Sequence, residues 1–164
     1  VSRREKFRLR CYDGDAVLIL LEKKSKISGL CRKESVPLPE AEARALAEGR
    51  PDRLGAGLPP LLWELCQKMR TQLLRPRTIV DYTREAYVFG RGNVRVTMDW
   101  DIRTGLGGTD FLDFGCVTVP AGGAPAILEV KWDAFLPDVI RDAVQLEGRR
   151  TAPFSKYAAC RIYG

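Results

Sequence analysis

The stretch "RREKFRLRCYDGDAVLILLEKKSK", residues 3–26, decides the fold predicted for this chain. Basic and apolar residues alternate through its first half, so an extended chain would carry Arg8 on one side and Leu9 on the other. The sequence "DGD" at 13–15 is a turn signal, and the second half then returns beside the first as a hairpin. The charged face of that hairpin would carry Arg4, Lys6, Arg8, Arg10, Glu22, Lys24 and Lys26.

A second hairpin is predicted further along the chain. The segments "RPRTIVDYTREAYVF" (75–89) and "VRVTMDWDIR" (94–103) both have strand character, and "GRGN" between them is a turn signal. The returning strand alternates, which places the apolar side chains Val94, Val96, Met98 and Trp100 on one face and Arg95, Thr97, Asp99 and Asp101 on the other. A further strand, "AILEVK" (126–131), puts Glu129 and Lys131 on a common face.

Four segments are predicted to be helical: 37–49, ending at Gly49, then 58–73, 135–148 and a short terminal helix from Ser155, which we expect to be its N-cap. A short strand after "SG" (28–29) and the segment "FLDFGCVTV" (111–119) bring the total to about seven strands. Most are joined as hairpins and are therefore antiparallel, with no alternation of strand and helix. The predicted class is α+β, in a single domain over residues 1–164.

Composition excludes several kinds of chemistry. The chain has no histidine, and its five cysteines are scattered without a CxxC pair. This pattern argues against a zinc site, a disulfide framework and any His-dependent nucleophile, and it favours a reducing compartment such as the cytoplasm. The longest apolar run, "AVLILL" at 16–21, is too short to cross a bilayer, so we expect no membrane segment in this chain.

The charge of the chain points to an anionic partner. The formal net charge is +6, and the basic residues concentrate on neighbouring strands. Like charges opposite each other destabilise a sheet, so such a face is costly unless an anion neutralises it. The simple alternative is an open sheet whose charged face lies in water. We instead expect an antiparallel barrel with a charged interior and helices packed outside, in which acids such as Glu22 and Asp99 hold the basic side chains or bind a metal.

Six motifs in order resemble the VTC domain, the polyphosphate polymerase module of the vacuolar transporter chaperone family. They are "KFRLRCY", "LEKKSK" followed by "RK", "RPRTIVDYTREAY", "NVRVTMD", "ILEVKWD" and the terminal "SKY". That family is part of the triphosphate tunnel metalloenzymes, also called the CYTH-like superfamily. The resemblance implies a strand tunnel that binds ATP and polyphosphate or triphosphate, with Mn²⁺ or Mg²⁺ as the divalent metal.

The resemblance also assigns roles to single residues. It implies phosphate contacts for Arg8, Arg10, Lys24, Lys33, Arg95, Ser155 and Lys156. It implies a metal ligand at Glu129, with Lys131 beside it on the same face. The residues expected to act in catalysis are Arg8, Arg10, Lys24, Arg95, Lys131 and Lys156. A helix N-terminus attracts anions, which independently fits the position of Ser155.

The chain also departs from the family pattern. The "ExExK" strand with which such enzymes begin is absent, and we expect it to precede Val1, which would make this chain an N-terminally truncated piece. Lys23 replaces the usual apolar residue and would put a charge on the outer face of the sheet. Pro153 stands where a basic residue is usual.

Three functions stay open from the sequence. The first is transfer of the γ-phosphate of ATP to polyphosphate, and the second is hydrolysis of triphosphate or a nucleoside triphosphate in the same fold. The third is a non-catalytic module that binds polyphosphate. Nucleic acid is not expected, because Phe7, Trp63 and Trp100 are predicted to lie on apolar faces instead of among the basic residues. The sequence leaves the oligomeric state open.

Overall fold

The first hairpin forms as its alternation predicts. The computed structural model describes residues 3–162, in which β1 (Arg3–Tyr12) pairs antiparallel with β2 (Asp15–Ile27) through a turn at Asp13 and Gly14. Both turn residues have positive φ, which matches the twist of a two-residue hairpin. A third strand, β3 (Leu30–Leu38), adds to the other side of β2 and completes a three-stranded sheet.

One face of this sheet packs against two helices. The helices are α1 (Glu40–Ala47) and α2 (Pro60–Thr71), and α1 ends just before Gly49, whose positive φ stops the helix as predicted. The apolar side chains that form the main core are Phe7, Leu9, Leu21, Val36, Leu38, Leu46, Leu61, Leu62, Leu65, Cys66 and Met69. One expectation is wrong here: Trp63, predicted to lie on an apolar face, is exposed, and so is Val17 near the start of β2.

A closed ring of charges lies within the same packed face. Lys23 is buried, and its Nζ lies 2.6 Å from Oε1 of Glu64 on α2 and 3.3 Å from Oε1 of Glu5 on β1. Lys68, also on α2, completes the ring by contacting both Glu5 and Glu64. The prediction that Lys23 would put a charge on the outer face is therefore wrong in one respect, because the charge is buried and paired.

The second sheet is built around one long strand. Strand β5 (Val94–Thr104) pairs with β4 (Val80–Phe89) on one side and with β6 (Val119–Pro120) and β7 (Ala126–Lys131) on the other, all antiparallel. A short 3-10 turn at 91–93 joins β4 to β5, as "GRGN" predicts. Segment 111–119 is mostly irregular instead of a strand, and it contributes only Val119 to β6.

A bulge changes the alternation near the end of β5. Asp81 lies opposite Arg103 and Thr83 opposite Trp100, so β5 carries one extra residue there. Asp101 has a positive φ and an exposed side chain, while Ile102 and Thr104 are buried. The strict alternation that placed Asp101 beside Asp99 is therefore interrupted, and the regular face ends at Asp99.

Two short helices follow β7. They are α3 (Asp138–Ala143), which is shorter than the predicted 135–148, and α4 (Lys156–Cys160), which begins after Ser155 as predicted. A small core of Ile102, Ala121 and Cys160 joins α4 to β5. The prediction that helices cover the apolar face of β5 fails at Met98, which is exposed.

The chain divides into two compact units. The first unit comprises Val1–Arg77 with Gly108–Cys116, and the second comprises Thr78–Gly107 with Val117–Gly164. The architecture is α+β with antiparallel sheets, as predicted. Closure of the strands into one barrel, and the treatment of both units as a single domain, stay predictions. Within residues 3–162, no helix is both long and apolar enough to span a bilayer.

Candidate functional site

The charged face of the first sheet gathers four of the residues proposed from the sequence. Arg8 lies opposite Glu22 in the β1–β2 pairing, and Lys24 lies opposite Lys33 in the β2–β3 pairing. Directly opposed residues point to the same side of a sheet. Arg8, Lys24 and Lys33 are exposed, and Arg10 is partly buried. The solvent-accessible surface of this face is therefore cationic.

Glu22 is the centre of this face, and its side chain is buried. Its carboxylate contacts Nε of Arg8, lies 2.5 Å from Nζ of Lys33 and lies 3.9 Å from Nε of Arg10. Burial alone would raise the pKa of Glu22, but the hydrogen bond from Lys33 and the charges of Arg8 and Arg10 outweigh burial and lower it. Glu22 is therefore ionised at neutral pH.

Charge balance at Glu22 favours an anionic ligand. Three cations surround one carboxylate, which leaves a surplus of two positive charges before Lys24 is counted. Glu22 already accepts from these cations, so it fits the role of holding basic side chains, one of the two roles considered for it. Guanidinium groups bind phosphate through paired hydrogen bonds, and ammonium groups attract it as point charges.

A second buried carboxylate, Asp99, organises the second sheet. Arg84 on β4 holds it with two parallel bonds, Nε to Oδ1 at 2.6 Å and Nη2 to Oδ2 at 2.7 Å. Nζ of Lys156 on α4 lies 2.5 Å from Oδ2. Burial would raise the pKa of Asp99, but these two partners together lower it, and the same bond to Asp99 raises the pKa of Arg84.

The start of α4 carries Ser155 and Lys156 of the "SKY" motif. Oγ of Ser155 accepts a hydrogen bond from the backbone N–H of Ala158 at 3.2 Å, which confirms it as the N-cap. Lys156 is largely buried between Asp99 and the ring of Tyr82, whose centroid lies 4.9 Å from Nζ. The phosphate contacts expected of Ser155 and Lys156 stay predictions.

The remaining predicted residues lie together on β5 and β7. Arg95 is directly opposite Lys131, and Thr97 is directly opposite Glu129. Nζ of Lys131 lies 3.3 Å from Oε1 of Glu129, and both side chains are well exposed. An exposed pair of this kind is weak, which leaves the Glu129 carboxylate available to a ligand.

The donor set for a metal is sparse. Among the described residues, no three His, Cys, Asp or Glu side chains are grouped so that they could hold an ion. Glu129 therefore offers one carboxylate and no protein cage. Mg²⁺ characteristically binds through one or two carboxylates together with substrate phosphates and water, so a single glutamate fits a metal that arrives with a phosphate ligand.

Arg84 is a site residue without a predicted role, although the sequence carries a signal for its ion pair. The "GRGN" turn fixes the register of the second hairpin, so Phe89 pairs with Val94 and, five residues further on, Arg84 pairs with Asp99. An arginine directly opposite an aspartate on one face predicts an ion pair.

Comparison with known proteins gives one match. Residues 1–162 match the family model of the VTC domain. No significant match is found among curated proteins or among solved structures.

Proposed function

The chain belongs to the VTC domain family, and on that premise we propose that the full-length protein is a polyphosphate polymerase acting in the cytoplasm. It would take the γ-phosphoryl group of ATP and add it to the end of a growing polyphosphate chain. The observation that carries the proposal is the surplus of positive charge around Glu22, where the side chains of Arg8 and Lys33 remain exposed.

The chemistry needs positioning and charge neutralisation more than a covalent catalyst. A terminal oxygen of the polyphosphate attacks the γ-phosphorus, the bond from that phosphorus to the β–γ bridging oxygen breaks, and ADP leaves with the electron pair. No histidine is needed for this step. Cations placed along the path stabilise the charge that spreads over the transferred group.

The residues proposed to bind phosphate lie on the strands of both sheets and at the start of α4. Arg8, Arg10, Lys24 and Lys33 would bind phosphates of the chain or of ATP from the first sheet. From the second unit, Arg95, Lys131, Ser155 and Lys156 would bind phosphates as well. The proposal includes the enclosure of these residues in a tunnel formed by the strands.

A divalent metal is part of the proposal. Glu129 would hold Mn²⁺ or Mg²⁺ together with phosphate oxygens of the substrate. When bound, such an ion supplies neutralisation of phosphate charge. The chain's own residues would bind the phosphates and orient the attacking oxygen.

The direct test incubates the full-length protein with ATP and Mn²⁺ and measures polyphosphate and ADP. We expect polyphosphate and ADP to increase together, and we expect the R8A variant to form much less of both. The control variant is R32A, because Arg32 is an exposed arginine on β3 that pairs with Glu34 and is not part of the proposed site.

Two other results would replace the proposal. Release of inorganic phosphate without polymer would indicate hydrolysis of triphosphate or a nucleoside triphosphate. Binding of polyphosphate without any turnover of ATP would indicate a non-catalytic module. Absence of both turnover and phosphate binding would reject all three functions.

A further inference from the structure

The hydroxyl of Thr97 is an exception among the buried polar groups of the second sheet. Thr97 is only 3% exposed, and its Oγ1 is completely covered. Among the residues that the structure describes, Oγ1 has no hydrogen-bond partner. Buried polar side chains are almost always hydrogen-bonded, so an unpaired one points to a partner that joins it in another state of the molecule.

The neighbours of Thr97 restrict what that partner is. Thr97 lies directly between Ala86 on β4 and Glu129 on β7, and Ala86 offers only a methyl group. Two residues away on the same strand, Arg95 carries donors only, so it could donate to Oγ1 but could not accept the hydroxyl proton.

The other same-face neighbour on β5 is Asp99, and it is already engaged. Its two carboxylate oxygens accept from Arg84 and Lys156. The carboxylate of Glu129 is therefore the acceptor directly across the sheet from Thr97, at a spacing of about 5 Å between Cβ atoms that is usual for opposed residues.

We propose that Thr97 is a positioning residue, whose hydroxyl donates a hydrogen bond to the Glu129 carboxylate when Glu129 binds a metal–phosphate ligand. This inference rests on the proposed function. Thr97 itself touches no ligand, because its oxygen is buried. The exposed pair of Glu129 with Lys131 is weak enough to be exchanged when phosphate draws Lys131 away.

The proposal gives Glu129 the support that metal-binding carboxylates usually have. Such carboxylates are themselves hydrogen-bonded, and loss of that outer contact typically weakens metal binding 10- to 100-fold. A single carboxylate, that of Glu129, held by the hydroxyl of Thr97 also suits a site in which the substrate phosphates supply most of the oxygen ligands to the metal.

The test compares the binding of tripolyphosphate to the full-length protein with Mn²⁺ and without it. Thr97→Val replaces the hydroxyl with a methyl of the same size, and Thr97→Ser keeps the hydroxyl. We expect T97V to reduce the affinity gained on adding Mn²⁺ by about tenfold, with unchanged metal-free binding. We expect T97S to retain most of the gain.

A second readout separates positioning from a structural role. In the ligand-free protein, we expect T97V to unfold at the same temperature as the natural chain or higher, because it removes an unpaired buried hydroxyl. If T97V does not fold, the pair T97A and T97S gives the same comparison, with alanine in place of valine.

The outcomes that overturn the inference are distinct from those that overturn the polymerase. The role of Thr97 is rejected if Mn²⁺ raises the tripolyphosphate affinity of T97V as much as that of the natural chain. It is also rejected if T97V loses the same affinity with Mn²⁺ and without it. If E129Q also leaves the gain unchanged while the protein still makes polyphosphate, then Glu129 is not the metal ligand and the inference fails, but the polymerase stands.

Discussion

Two buried carboxylates, Glu22 in the first unit and Asp99 in the second, each gather cations on one face of a sheet. The difference lies in how accessible the cations are: two of the three around Glu22 are well exposed, with Arg10 at 17%, whereas neither of the two around Asp99 is. Around Glu22, the side chains of Arg8 and Lys33 are 53% and 57% exposed. Around Asp99, Arg84 and Lys156 are 25% and 19% exposed.

The comparison separates two uses of the same ion pair. Glu22 anchors its cations, and the exposed side chains of Arg8 and Lys33 can still contact a second anion. The cations around Asp99 are largely buried, and two nitrogens of Arg84 donate hydrogen bonds to Asp99. We infer that the Glu22 cluster mainly presents charge to a ligand, whereas the Asp99 cluster mainly joins α4 to the sheet.

The largest effect is expected from Asp99→Asn. This change leaves Arg84 and Lys156 largely buried without a counter-charge, and breaking a buried pair in this way costs about 3–5 kcal/mol of unfolding free energy. Denaturant unfolding of D99N beside the natural protein measures the loss. A loss below about 1 kcal/mol would contradict the structural role given to Asp99.

Arginine variants of the two clusters sharpen the same comparison. We expect Arg8→Ala to weaken tripolyphosphate binding about tenfold, the loss of one charge-assisted hydrogen bond, with little change in stability. Arg84→Ala should destabilise the fold by about 3 kcal/mol, because Asp99 then keeps Lys156 but loses both bonds to the guanidinium. Calorimetric titration and denaturant unfolding of both variants check the two expectations. The distinction fails if R8A unfolds as easily as R84A and binds normally.

A smaller effect is expected from Glu22→Gln. The exposed cations Arg8 and Lys33 can turn to water, and glutamine still accepts a hydrogen bond. We therefore expect a loss of about 1 kcal/mol, well below that of D99N. Denaturant unfolding of E22Q and D99N under the same conditions measures both losses. Equal losses of unfolding free energy would contradict the difference between the two clusters.

The smallest effect is expected from pH. The pKa values of Glu22 and Asp99 lie below their ordinary values of 4.5 and 3.8 in the folded chain. The unfolded chain therefore binds protons first as the pH falls, so both carboxylates contribute stability that is present above these values and is lost below them. The fall in unfolding free energy between pH 6 and pH 3.5 should be less steep in E22Q and in D99N. The same slope in both variants and the natural chain would contradict the lowered pKa values.

Local patterns explain how much could be predicted from the sequence. Strict alternation placed Arg8, Glu22 and Lys24 on one face, and a capping serine placed the start of α4, because both signals depend only on neighbours in the chain. The bulge at Asp101 and the burial of Lys23 were missed. Lys23 is buried because Glu64 reaches it from a helix 41 residues away, which alternation cannot indicate.

The paired ring of Lys23, Glu5, Glu64 and Lys68 sums to zero charge, whereas the opposite side of the same sheet keeps its surplus. These two clusters on opposite faces of the sheet therefore differ in net charge. A long polyanion diffusing nearby would be steered to one side, and its rate of encounter should fall steeply as added salt shortens the screening length from about 10 Å at 0.1 M to about 3 Å at 1 M.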